Sequence, residues 1–178
     1  MLRTQSWLVF FFLISLLTLG GCSSVDIQQY KGTKPNFDLF SYFEGSTKAY
    51  GIFQGRNGEL KRQFTVDIVG TVKGDRLTLV EDFIYSDGEV SQRIWRIRRT
   101  AKGEYVGEAD DVIGLAKGES VGSVLHWKYT MQLPYKGTLV SVGFDDWMFL
   151  QADGFLINKA EVTKFGFTVG EVTLVFQK

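Results

Sequence analysis

The chain has 178 residues, 20 lysines and arginines against 20 aspartates and glutamates, and a formal net charge of zero. That balance leaves no basic excess to neutralise a nucleic-acid backbone, so no nucleic-acid partner is expected. A single cysteine excludes an intramolecular disulfide, and with a single histidine it is too few for a zinc site of the usual Cys/His type.

The N-terminus carries a targeting pattern. Arg3 precedes an apolar run, Trp7 to Leu17, that is short for a bilayer span. It ends in Leu19-Gly20-Gly21-Cys22, which resembles a bacterial lipobox. Residues 1–21 are therefore read as a lipoprotein signal peptide and Cys22 as the acylated first residue of the mature chain. An uncleaved N-terminal anchor is the alternative, and either one tethers the chain to a membrane. In the lipoproteins it resembles, a residue other than Asp after the cysteine, here Ser23, permits export to the outer membrane. The expected location is thus the periplasmic face of the outer membrane, with the inner membrane as the alternative. An acylated Cys22 is also lost as a nucleophile or metal ligand.

Residues 22–35 are polar, contain Gly32 and Pro35, and read as a lipidated cysteine and tether. Residues 36–178 form a single domain. Within it, Asn36 is placed to cap a short helix carrying Phe37, Phe40 and Leu39 or Phe43 on one face, suited to plug one end of a barrel; a strand fits nearly as well. From Gly45 onward the pattern is all β. Turn signals fall at Asn57-Gly58, Gly74-Asp75, Asp87-Gly88, Lys102-Gly103, Lys117-Gly118, Lys136-Gly137, Asp153-Gly154 and Gly166 to Gly170. They predict about nine strands, near 46–55, 60–71, 76–85, 89–99, 104–113, 121–134, 138–149, 155–164 and 170–177. No long 3.6-residue period supports a βαβ unit. Consecutive hairpins point to an antiparallel up-and-down barrel, which leaves no exposed edge.

Two stretches orient the strands. Leu125, Trp127, Tyr129, Met131 and Leu133 share one face of their strand, so His126 on the other is expected to face water. In the hairpin around Asp87-Gly88, a three-residue loop with left-handed Gly88 sets Leu79 against Trp95 and Leu77 against Ile97. A two-residue turn would set those leucines against Arg96 and Arg98. The first register keeps one face apolar, and it places Glu81 opposite Arg93 on that same face.

An acid and a guanidinium on an apolar face must pair or reach water. They form either a structural ion pair between strands or a site where Arg93, backed by Glu81, meets a ligand headgroup through its planar fork. Phe83, Tyr85, Trp95, Trp127, Tyr129 and Phe144 also fall at inward positions, where they either fill the barrel or line a small ligand's cavity. Asp110-Asp111 and Asp145-Asp146 suggest paired catalytic carboxylates, but neighbours on a strand face opposite ways, so each pair is read as a turn, bulge or rim feature. A break in alternation at Asp145-Asp146 suggests a bulge. A serine or cysteine hydrolase lacks its base, and Gly51-Ile52-Phe53-Gln54-Gly55 lacks the Lys and helix of a phosphate loop.

The run Glu81-Asp82-Phe83-Ile84-Tyr85-Ser86-Asp87-Gly88 followed by Arg93-Ile94-Trp95 resembles a family of bacterial lipoproteins known only as domain-of-unknown-function family 3833. So do Phe43-Glu44-Gly45, Ala49-Tyr50-Gly51, Trp127-Lys128-Tyr129, Phe144-Asp145-Asp146-Trp147 and Lys164-Phe165-Gly166, and the likeness covers nearly all of residues 36–178. The resemblance implies that the barrel is of the lipocalin/calycin-like kind, although Gly51-Ile52-Phe53 stands where lipocalins carry Gly-x-Trp. It implies no activity or cofactor. It does imply a link to lipids, since relatives are often encoded beside enzymes that modify membrane acyl chains.

The leading expectation is a non-catalytic binding module for a small amphipathic molecule such as a fatty acid or phospholipid. Its chain would lie against Leu77, Leu79, Phe83, Tyr85, Trp95, Trp127 and Tyr129, with an anionic head near Arg93 and Glu81. The competing expectation is an interaction protein with a filled barrel.

Overall fold

The computed structural model describes residues 25–135 and 137–178. Ten antiparallel strands follow one another around a closed barrel: β1 (Gly45–Gly55), β2 (Leu60–Lys73), β3 (Arg76–Tyr85), β4 (Val90–Ala101), β5 (Glu104–Glu108), β6 (Val112–Val121), β7 (Val124–Tyr135), β8 (Thr138–Leu150), β9 (Leu156–Lys164) and β10 (Phe167–Gln177). Each pairs with its sequence neighbour, and β10 closes on β1 from Lys48↔Gln177 to Gly55↔Gly170. The architecture is the expected up-and-down barrel, with ten strands.

The extra strand comes from one misread glycine. Lys117-Gly118 lies inside β6, and the chain instead turns at Asp110-Asp111 and at Gly122-Ser123. Gly118 has no positive φ that would mark a turn. Its role is clearance: a Cβ there would overlap the Trp127 ring from β7, and Gly107 on β5 yields to the same ring. By contrast, Gly88 sits at φ 87° and closes the predicted three-residue loop. The β3–β4 register is Leu77↔Ile97, Leu79↔Trp95 and Glu81↔Arg93, as the alternation requires.

The short helix α1 (Leu39–Phe43) closes one end of the barrel. Its cap is Asp38, not Asn36: the Asp38 carboxylate accepts from Ser41 N at 2.9 Å and from Arg99 Nη2 at 2.8 and 3.0 Å. Burial raises the Asp38 pKa, but Ser41 and Arg99 outweigh it and hold the carboxyl below its usual value. Leu39, Phe40, Tyr42 and Phe43 are all buried, with Phe40 stacked on Tyr105 and Phe43 edge-on to Phe176. Tyr42 Oη donates toward the carbonyls of Gly154 and Phe176. Gly70 leaves room for the helix end, since a Cβ there would collide with the Phe43 carbonyl.

Residues 1–21, expected as a signal peptide, and Cys22 lie outside the described residues. From Val25 on, the stretch expected as a tether is stitched to the barrel wall. A 3-10 turn, Ile27–Tyr30, buries Ile27 and sets the Tyr30 ring against Trp147 and Phe149. The Thr33 hydroxyl accepts from Ser123 N, and Phe37 N donates to the Gly122 carbonyl. No helix among the described residues is long and apolar enough to cross a membrane.

Candidate functional site: a cavity inside the barrel

The barrel encloses a cavity of about 480 Å³, within the roughly 300–1,000 Å³ range of small-molecule sites. Leu39 and Phe43 of α1 contribute to its lining, and the opposite end is framed by the β1–β2, β3–β4, β5–β6, β7–β8 and β9–β10 connections. The interior is therefore hollow, not filled. Period-two alternation delivers its walls. Glu81, Arg93, Trp95, Phe83, Tyr85, Leu79, Trp127 and Tyr129, the eight residues singled out in the sequence, all line it. Leu77 does not; it is fully buried in the core. Trp95 meets Trp127 and Tyr129 edge-on, and Tyr129 stacks on Phe144 at 4.9 Å, so the aromatic wall is braced before any ligand enters.

The polar groups differ from expectation in their partners. Arg93 and Glu81 share the inner face, but the guanidinium Nη1 stands 4.0 Å from Glu81 Oε2. Its main partner is Asp111, from the β5–β6 turn: Nε donates at 3.0 and 3.2 Å, and Nη2 lies 2.9 Å from Oδ2. Nη2 also points at Met131 Sδ, 3.3 Å away, and the guanidinium lies 5.3 Å over the Phe83 ring. The charge of Arg93 is thus committed within the protein. Nearer the mouth, Arg62 pairs with Asp87 and Glu89 and covers the Tyr85 ring at 3.6 Å.

Sequence reasoning missed Asp111, Asp146 and Asn158 as cavity residues. Asp146 is not in a bulge. Strand β8 is regular there, with Trp127↔Asp146 and Lys128↔Asp145, and Asp146 points inward at 4% exposure. The signal was present in Val142, Phe144, Met148 and Leu150, which share its parity, but the large apolar Trp147 obscured it. Trp147 lies on the outer wall, where Tyr30 and the His126 ring cover it, the latter at 3.9 Å. His126 is on the outer face as expected but mostly covered, its side chain 20% exposed and its Nε2 2.6 Å from Asp145 Oδ1. Burial raises Asp145, yet Lys128 and His126 hold it below its usual value.

Enclosure shifts the inner acids the other way. Burial pushes Glu81 up to about 7; Arg93 opposes that and Asp111 reinforces it. Burial pushes Asp146 up to about 8, opposed by the Tyr129 hydroxyl and Arg93 and reinforced by the charges of Asp145 and Glu81. Tyr129 is pushed well up, first by burial and then by Asp146. Oδ1 of Asp146 and Oδ1 of Asn158 are buried without a hydrogen-bond partner. Around neutral pH the cavity thus holds carboxyls poised between charged and neutral forms beside an aromatic wall. Among the described residues no group of three or more His, Cys, Asp or Glu is arranged to hold a metal ion.

A closed antiparallel barrel, plugged by a short helix and hollow enough for a small molecule, is a lipocalin-like fold. One solved structure similar to it is that of the S-type phycobiliprotein lyase CPES from Guillardia theta, with a TM-score of 0.55 at 7% identity over 78% of this chain and 88% of that one. Such low identity carries the fold alone. No curated protein matches the chain. The chain belongs to the family described as "Protein of unknown function (DUF3833)", which matches residues 16–178.

Proposed function

We propose that this protein is a membrane-tethered, non-catalytic binding module for a small amphipathic molecule with an acyl-like apolar part, anchored through Cys22 and facing the periplasm from the outer membrane. The observation that carries this reading is the open-mouthed cavity of about 480 Å³ inside the barrel, apolar and aromatic over most of its wall, with a few convergent polar groups. Leu79, Phe83, Trp95 and Trp127 are placed to take the apolar part. The competing filled-barrel reading has no use for such a void.

The mouth suits exchange with a membrane. Exposed Leu60, Val90, Tyr135, Leu139, Phe165 and Phe167 decorate the connections around it, Phe165 at 89% exposure. The test is native mass spectrometry of the protein extracted from its own membrane, followed by organic extraction. A stoichiometric apolar small molecule supports the module; an empty protein that takes up no added amphiphile refutes it. Metabolic labelling with a radioactive fatty acid should mark the protein, and Cys22→Ala should abolish the label; a wild-type protein that takes up no label would refute the lipid anchor.

A further inference from the structure

The binding reading leaves open what kind of polar group the cavity receives, and the interior charges bear directly on that. Four acids line the cavity, Glu81, Glu89, Asp111 and Asp146, against two cations, Arg62 and Arg93. Both cations are committed, Arg62 to Asp87 and Glu89 at the mouth and Arg93 to Asp111 with Glu81 beyond it. An anionic head would have to break one of these pairs and then face the remaining carboxyls. Deep in the wall the unmatched groups are acceptors; the unmatched donor among the described lining residues, Arg62 Nε, sits nearer the mouth on a guanidinium already held by Asp87 and Glu89. Asp146 and Asn158, 4% and 2% exposed, each leave Oδ1 without a partner in the cavity wall, and Glu81 has only the 4.0 Å contact to Arg93. Such acceptors are costly to bury and call for donors. The aromatic wall of Trp95, Trp127, Tyr129 and Phe144 adds aromatic rings, whose faces attract organic cations.

We propose that the polar end of the ligand is an organic cation bearing N–H donors, a protonated amine, seated between Asp146, Asn158 and Glu81 with its apolar chain against the aromatic wall. This rests on the binding-module reading above and specifies its ligand class. A positive charge there favours the ionised form of Asp146, so binding expels a proton from the site. The groups acting on Asp146 are Tyr129 from β7, Arg93 from β4 and Glu81 from β3, with Asp145 beside it on the outer face, while Asp111 from the β5–β6 turn lines the same cavity on Arg93. Of these, Glu81 titrates in the same range and adds to the effect. Affinity for the amine therefore rises with pH between 6 and 8, by up to about tenfold per unit for each proton released.

The experiment is calorimetric titration of the detergent-solubilised full chain with dodecylamine, laurate and 1-dodecanol, which share one chain length and differ in head charge. The expected order is amine tightest and laurate weakest, with the amine alone gaining affinity from pH 6 to 8. Asp146→Asn, which keeps the shape, should cost the amine at least tenfold and shift dodecanol by far less; Glu81→Gln should weaken the amine in the same direction. Laurate binding as tightly as the amine, or amine affinity independent of pH and of Asp146→Asn, overturns the cation inference while the binding module stands. No binding of any of the three overturns both.

Discussion

Replacing Asp146 by Asn should make the barrel less sensitive to alkali, and the size of the effect follows from its burial. The carboxyl titrates at about 8 in the folded state against 3.8 in the unfolded chain. Between those values the native protein holds a proton that the unfolded chain has released. Stability therefore falls as pH rises, by about 1.4 kcal/mol per pH unit for this group. Glu81, at about 7, adds a second contribution of the same sign that ends at lower pH. From pH 5 to pH 8 the Asp146 contribution amounts to about 4 kcal/mol, a large share of the stability of an ordinary domain. Asn has nearly the same shape and no charge, so the variant should lose that slope and gain on the wild type as pH rises. Urea unfolding at pH 5, 6, 7 and 8, followed by fluorescence of the buried Trp95 and Trp127, measures the difference. Parallel stability curves for variant and wild type would mean that Asp146 stays ionised in the fold, and the account of the cavity as a poorly solvated acid site would fail.

Other substitutions probe the closed end and the ion pair. Gly70→Ala pushes a methyl group into the Phe43 carbonyl and should cost about 1–3 kcal/mol in a denaturant titration; a neutral result would show that α1 is not wedged there. Asp38→Ala removes both the helix cap and the Arg99 partner and should cost about 1 kcal/mol, with faster proteolysis near residues 36–44 as the local readout; unchanged cleavage would show that the cap does not hold the plug. Arg93→Ala leaves Glu81 and Asp111 without their cation, at a cost of about 2 kcal/mol at pH 8. That cost should shrink by pH 6, where Glu81 is protonated, and a loss independent of pH would point to packing on Phe83 and Met131 instead.

The hairpin at Asp87-Gly88 shows how much of this protein is written locally. Alternating apolar residues and one left-handed glycine decide that Leu79 meets Trp95 and that Glu81 and Arg93 share a face, because a slip of one residue would turn every side chain over. The same period places Trp127, Tyr129 and Met131 inward and His126 outward. What local pattern could not decide is what meets across the barrel. Gly118 reads as a turn until Trp127 from the next strand needs its space. Asp146 reads as a break until Tyr30 and His126 cover Trp147 on the outer wall. Asp111 reaches Arg93 only because the β5–β6 turn arrives at that level of the barrel. Each of these outcomes depends on the arrangement of a second segment packed against the first, which no single strand's alternation specifies. The charge state of Glu81 and Asp146 depends on it too. Alternation along one strand selects a face, but desolvation belongs to the volume that ten strands and a helix enclose together.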